Sequence, residues 1–311
     1  MKSEITFGGL TVAPGEKKSG FAPVLDTQKT MPLTVINGAK EGKTVLLTSG
    51  IHGGEYPGIA CAMELAQQLD PQEVSGQLVI FHPVNYSAFV QRRAYIVPED
   101  GKNLNRQFPG DKEGTISQKM AYVLEHEYIR KADFHIDMHG GDIPEQLAPY
   151  AYYAGSDEER ARAAAQWLDV RFVVEPSAIA GVYQFAARRP PSLLIEQGGR
   201  GLWSREEVEH YQKNVTNVLK HLNVLAGEPV MPAHRPRRIT RIESRAARVD
   251  GCWYPMVNPE EPVKQGQLLG VIRDVFGNVR EEVRAEYDAM ILFTAVSLAI
   301  AKGEAILTYG C

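Results

Sequence analysis

TVLLTSGIHGGEYPG, residues 44–58, changes texture halfway along. The apolar run over 44–50 reads as a buried strand. Pro57 stands where a helix begins, since its fixed φ suits the first turn and its missing N–H costs nothing there. Ile59, Met63, Ala66 and Leu69 then follow at helical spacing. A strand, a glycine-rich loop and a helix in that order form the repeating unit of an α/β domain.

Downstream the alternation continues through LVIFHPVN (78–85), a helix from about Ile116 to Lys131, ADFHIDMHG (132–140) and YAYYAG (150–155). It runs on through a helix near 157–168, SLLIEQGG (192–199), and a helix from about Ser204 to Leu225 that ends at Gly227. Upstream, ITFGGLTV and MPLTVINGA read as strands of a small hairpin or meander. PVMPAHRPRR (229–238) has the composition of a linker, and from Arg241 onward short β-like runs alternate with turn residues. The expected fold is α/β, a mixed sheet flanked by helices over residues 1–230, with 1–43 as N-terminal strands. A smaller all-β domain is expected over 231–311.

The chain has 311 residues, with 34 Lys+Arg against 38 Asp+Glu, a net charge of −4. No broadly basic surface is available to neutralise phosphates, so nucleic acid is excluded as a partner. The six arginines from Arg235 to Arg248 read as a solvated linker and edge strand. Cys61, Cys252 and Cys311 are too scattered for a disulfide framework, which favours a reducing compartment. The N-terminus lacks the apolar core of a signal peptide, and the longest weakly polar run, Ala289 to Ala301, has only 13 residues. A cytoplasmic protein without a membrane span is expected. GAKEGKT (38–44) resembles a phosphate loop but is one residue short and precedes its strand.

In the loop of the opening stretch, His52 and Glu55 lie three residues apart, a spacing suited to a metal. A catalytic zinc typically takes three nitrogen or oxygen ligands and keeps one position open. Tyr56 after Glu55, and Arg130 where His126-Glu127 would need a second histidine, rule out the helical zincin signatures. The third ligand is sought in ADFHIDMHGGD, where His135, Asp137 and His139 share one face of a strand. His139, at the strand's carboxyl end, is better placed than His135, which reads as a hydrogen-bonded core histidine. Asp137 could orient a ligand imidazole. Between these segments a loop carries Asn85, Arg92, Arg93, Asn105 and Arg106, donors that could grip a carboxylate or polarise a carbonyl. Glu196 ends the apolar run SLLI, a costly place for a carboxylate unless it faces a cleft, where it would serve as a general base.

HGGEYPG, NYSAF…RR…NLNRQFPG, HIDMHGG and LLIEQGG, in that order, resemble the succinylglutamate desuccinylase/aspartoacylase family, a branch of the zinc-carboxypeptidase superfamily. The resemblance spans about residues 30–225 and extends to the β-rich tail. It implies one zinc per chain held by His52, Glu55 and His139, with Glu196 activating the attacking water. It implies that Arg93 polarises the scissile carbonyl, Arg92 being the alternative because the loop is longer than in most relatives. Asn105 and Arg106 would hold the substrate's carboxylate, and Arg188 and Arg189 loosely match a further substrate arginine. The implied reaction is hydrolysis of the amide of a small N-acyl amino acid. The alternatives are a metallocarboxypeptidase trimming peptides and a non-catalytic zinc-binding protein of the same fold. The tail, similar to biotinyl and lipoyl carriers but without a lysine at Asp288-Ala289, is expected to cap the site, with Tyr254 or Tyr287 reaching in. A homo-oligomer is compatible with the sequence.

Overall fold

A computed structural model of the chain describes residues 2–179, 190–232 and 235–311. Among them nine strands form the main sheet: β1 (Glu16–Pro23), β2 (Thr30–Asn37), β3 (Lys40–Ser49), β4 (Ser75–Phe81), β5 (Phe134–His139), β6 (Tyr150–Ala154), β7 (Phe172–Val174), β8 (Ser192–Glu196) and β9 (Arg237–Ile239). Their spatial order is β9-β7-β6-β8-β5-β3-β4-β2-β1. The central strands β4, β3, β5 and β8 run parallel, whereas β1 and β2 are antiparallel additions at one edge and β6 runs against β8.

Helices cover both faces: α1 (Tyr56–Gln68), α2 (Tyr86–Gln91), α3 (Ile116–Val123), α4 (Glu158–Ala165) and α5 (Arg205–His221). Strand alternation decides which side chains meet them. Val45 and Leu47 of β3, with Phe134, Ile136 and Met138 of β5, pack against α1, α4 and α5. Leu46 faces the opposite core with Met120 and Ala121 of α3. In α5, Val208, Tyr211, Val215 and Val218 form the buried stripe, and the Ser204 side chain caps the first turn by accepting the Glu207 N–H. The helix stops at His221, short of the expected Leu225, with Asn223 in the left-handed region at φ 59°. α3 passes into a π turn over Leu124–Tyr128 and a 3₁₀ turn over Ile129–Lys131.

The N-terminal segment divides. Ile5–Phe7 and Leu10–Val12 form a separate hairpin, while MPLTVIN becomes β2 of the main sheet. At the other end, β9 pairs with β7, so the main sheet takes its last strand from beyond residue 230.

The C-terminal part is all β. Ile242–Ala246, Ala289–Ala295 and Ala305–Gly310 form one antiparallel sheet, and Gly251–Pro255, Leu268–Arg273, Val279–Arg284 and Ala299–Ile300 form a second. Trp253, Ile272, Ile291, Phe293, Leu307 and Tyr309 fill the core between them. The first sheet also accepts Glu145–Leu147, a short strand from the loop after β5, which pairs with Ala289–Ala295. Tyr150, Tyr152, Phe172 and Val174 of the main sheet bury against Leu292, so the two parts share a core. No described helix is long and apolar enough to cross a membrane.

Candidate active site

β3, β5 and β8 are parallel neighbours, so their carboxyl ends open on one edge of the sheet, where α/β proteins place ligands. The loop after β3 carries His52 and Glu55. Two of its glycines are demanded by close approach: a Cβ on Gly54 would lie 1.9 Å from Asp142 Oδ1, and one on Gly53 would lie 2.3 Å from the Phe89 backbone nitrogen. β5 delivers His139, and β8 delivers Glu196 in register beside it. Tyr211 of α5, fully buried, places its hydroxyl 2.7 Å from the carbonyl oxygens of both His139 and Ile195, tying the two strand ends together.

His52, Glu55 and His139 are buried, and one potential ligand atom from each lies within 4.8 Å of the others. His52 Nδ1 is 2.7 Å from Glu55 Oε1 and His139 Nδ1 is 3.2 Å from Glu55 Oε2. The opposite ring nitrogens point away: His52 Nε2 meets Asn103 Oδ1 at 3.1 Å, and His139 Nε2 meets Asp137 Oδ2 at 3.2 Å. Behind Asp137 a chain of donors continues. The Thr48 hydroxyl donates to Asp137 Oδ1 at 2.6 Å, and Thr48 Oγ1 lies 2.6 Å from His135 Nε2. His135 is thus placed in the supporting chain and outside the ligand group.

Each Nε2 is held by an outer acceptor, so both Nδ1 atoms turn toward Glu55, one to each carboxylate oxygen. Two imidazoles whose Nδ1 protons a metal would displace, a carboxylate between them and anchored outer nitrogens are the donor set of a zinc site, so the residues fit that metal. Burial opposes charge on all three groups. Their mutual attraction outweighs it, holding both histidines above their ordinary pKa and Glu55 below its own. Asp137 is held well below the carboxylate range because His139 overcomes its burial.

These residues open into a cavity of about 570 Å³. Asn105, Arg106, Glu145, Tyr95 and Glu196 line it, together with Ser244, Phe293, Ala295, Ile300 and Thr308 of the C-terminal part. Burial pushes the Glu196 carboxyl well above the usual range, against the pull of His139 and with the help of Glu55 and Glu145. Of the loop residues, Asn105 is buried and Arg106 reaches the cavity from an exposed position, whereas Arg92 and Arg93 are exposed and outside its lining. Asn85 caps α2 by accepting the Ala88 N–H. Tyr254 and Tyr287 do not line the cavity: the first is 44% exposed, and the second lies under the Arg241 guanidinium, 3.7 Å from its ring centre. Arg188 and Arg189 lie outside the described residues. Asn103, Tyr95, Glu145 and Tyr211 join the site without having been singled out in the sequence. The NLNR motif, which begins at Asn103, was the one local signal for any of them.

The succinylglutamate desuccinylase/aspartoacylase catalytic domain matches residues 41–222. N-alpha-acetyl-L-2,4-diaminobutyric acid deacetylase of Halomonas elongata is 28% identical over 293 residues, covering 89% of this chain and 84% of that protein. A succinylglutamate desuccinylase/aspartoacylase from Rhodobacter sphaeroides superposes with a TM-score of 0.79 at 28% identity, over 95% of both chains. The product-bound ectoine utilization protein EutE (DoeB) of Ruegeria pomeroyi gives 0.82 at 26% identity, over 94% of this chain and 95% of that one. The family match includes all three histidine and carboxylate ligand candidates and Glu196, and the structural likeness extends through the C-terminal sheets. The chain therefore belongs to the succinylglutamate desuccinylase/aspartoacylase family.

Proposed function

We propose that the protein is a zinc-dependent deacylase that hydrolyses the amide bond of small N-acyl amino acids. The observation that carries this reading is the convergence of His52 Nδ1 and His139 Nδ1 on Glu55, beside Glu196, in a cavity that residues of the C-terminal sheet also line. The relatives named as a deacetylase and as desuccinylases support the reaction class.

His52, Glu55 and His139 would hold one zinc per chain, with Asn103 and Asp137 fixing the two imidazoles. Bound zinc supplies a Lewis acid for the carbonyl and makes water nucleophilic at neutral pH. Glu196 takes the proton from the attacking water and returns it to the departing amine, a role its desolvated carboxyl suits. Arg106 and Asn105, at the cavity wall, hold the substrate's α-carboxylate. Arg93 is the guanidinium proposed for the scissile carbonyl oxygen. Because it is exposed outside the lining, that role requires the turn bearing Arg92 and Arg93 to move inward with substrate.

The lining by Phe293, Ile300 and Thr308 favours a small acyl amino acid over a peptide chain. A polypeptide substrate would have to displace it. Free-amine release from acetyl, succinyl and formyl amino acids, set against release from dipeptides and tripeptides, tests the reading. Faster turnover of the peptides would favour the metallocarboxypeptidase alternative.

A further inference from the structure

A buried polar row behind the ligand group takes no part in the hydrolysis. Thr48, the penultimate residue of β3, stands in register with Asp137 of β5, and His135 stands in register with Leu46. Alternation therefore puts Leu46 and Thr48 on the same face of the sheet as His135, Asp137 and His139. Leu46 belongs to the apolar layer under α3. In that setting Thr48 is 1% exposed and His135 3%. A hydroxyl and an imidazole there are costly unless hydrogen-bonded, and valine at position 48 would suit the strand equally well by shape.

The hydrogen bonds run in one direction. Burial opposes charge on Asp137, but His139 holds its carboxyl below the usual range, so both of its oxygens only accept. Thr48 has one hydroxyl proton and gives it to Asp137 Oδ1 at 2.6 Å. Its oxygen, 2.6 Å from His135 Nε2, is then left to accept, so that nitrogen carries a proton. At the other carboxylate oxygen His139 Nε2 donates across 3.2 Å, which leaves its Nδ1 turned to Glu55. His135 thus seats Thr48, Thr48 seats Asp137, and Asp137 seats His139. A carboxylate held by a donor on each oxygen cannot turn without breaking one of the two bonds, and in a layer that excludes water each bond is worth more than at the surface.

Building on the metal-centre reading, we propose that Thr48, seated by His135, is a positioning residue of the zinc site: it pins the Asp137 carboxylate so that His139 presents Nδ1 to the metal. Neither Thr48 nor His135 belongs to the ligand group. Their effect is on how tightly the metal is held, through the orientation of one ligand.

The test begins with wild-type protein isotope-labelled at its histidine ring nitrogens, observed by NMR in metal-free and zinc-loaded form. His135 should carry a proton on Nε2 in both, and His139 should keep its Nε2 proton when zinc takes Nδ1. A His135 with a bare Nε2 would overturn the proposal without recourse to any variant. Thr48→Val then removes the hydroxyl at nearly constant shape. In chelator competition it should bind zinc about tenfold more weakly than the wild type, the lower end of what losing a partner behind a ligand costs. Thr48→Ser, which keeps the hydroxyl, should bind zinc as the wild type does, and equal weakening in both variants would show that packing, and not the hydroxyl, sets the affinity. A chain that only stabilises the fold predicts an earlier melt for Thr48→Val with zinc affinity unchanged. That result would remove the role of Thr48 and leave the metal centre standing, whereas a wild type that bound no zinc would remove both.

Discussion

Replacing Glu196 with glutamine should separate chemistry from folding. The side chain ends β8 in register with His139, and Glu55, Glu145 and Asp137 add negative charge nearby. Burial, and then these carboxylates, hold its carboxyl well above the usual range despite the pull of His139. Such a group accepts a proton readily, which is what a base needs when it draws one from water and passes it to the leaving amine. Glutamine keeps the shape but cannot accept that proton. The expected loss in kcat is about 10²–10⁴, or about 2.7–5.4 kcal/mol at about 1.36 kcal/mol per decade. Stability should move the other way. The neutral amide withdraws one charge from a crowd of carboxylates, so the melting temperature should match or exceed that of the wild type. Amine release at saturating substrate, with melting and zinc content measured on the same samples, reads both effects. A variant that melted several degrees early yet turned over within a few-fold of wild type would refute the base assignment.

Asp137→Asn should weaken zinc binding by about 10–100-fold in chelator competition, because it alters the acceptor that orients His139. Zinc affinity should also rise with pH. Glu55 holds both imidazoles above 6.5 against their burial, so the metal-free site keeps protons that the metal must displace. Those protons stabilise the metal-free fold fully below pH 6.5, and the benefit is lost as pH climbs through the raised folded-state values. Titration at pH 6 and pH 8 should therefore show tighter binding at the higher pH, by up to about tenfold per unit for each proton released, and a flat profile would contradict the protonated resting site. Arg106→Ala should raise KM by about 10–100-fold with kcat little changed, as expected for a grip made equally in ground and transition states. Arg93→Ala should lower kcat by about 10²–10³ if its turn closes on the carbonyl as proposed. A kcat within a few-fold of wild type would show that Arg93 stays outside.

Much of the α/β scaffold is legible in local patterns because each central strand buries both faces or alternates cleanly. TVLLTS and HIDMH are examples, and the latter's apolar residues face α1 and α5 while His135, Asp137 and His139 face away. His139 could be preferred to His135 because strand ends, and not strand middles, open on ligand sites. Less local features stay hidden. Asn103 becomes the partner of His52 only when a loop 51 residues downstream folds back. Glu145 enters the cavity because Glu145–Leu147 pairs with a strand about 150 residues away, and no periodicity in GGDIPEQLAP announces that pairing. Tyr211 reads as one member of an apolar helix stripe, and its hydroxyl gains meaning only from the carbonyls it meets. Arg237–Ile239 looks like linker because an edge strand tolerates charge on its open side.

Zinc dependence of amide hydrolysis is the property on which the proposed chemistry stands, and one reconstitution measures it. Protein stripped by chelator, with residual metal quantified, is assayed for free-amine release from Nα-acetyl amino acids before and after about one equivalent of zinc is returned. The stripped protein should be inactive, and activity should return in proportion to bound zinc, whereas His139→Ala should neither bind the metal nor recover. Full activity in a metal-free sample, or full zinc loading and activity in His139→Ala, would contradict the assignment of His52, Glu55 and His139 as the metal centre.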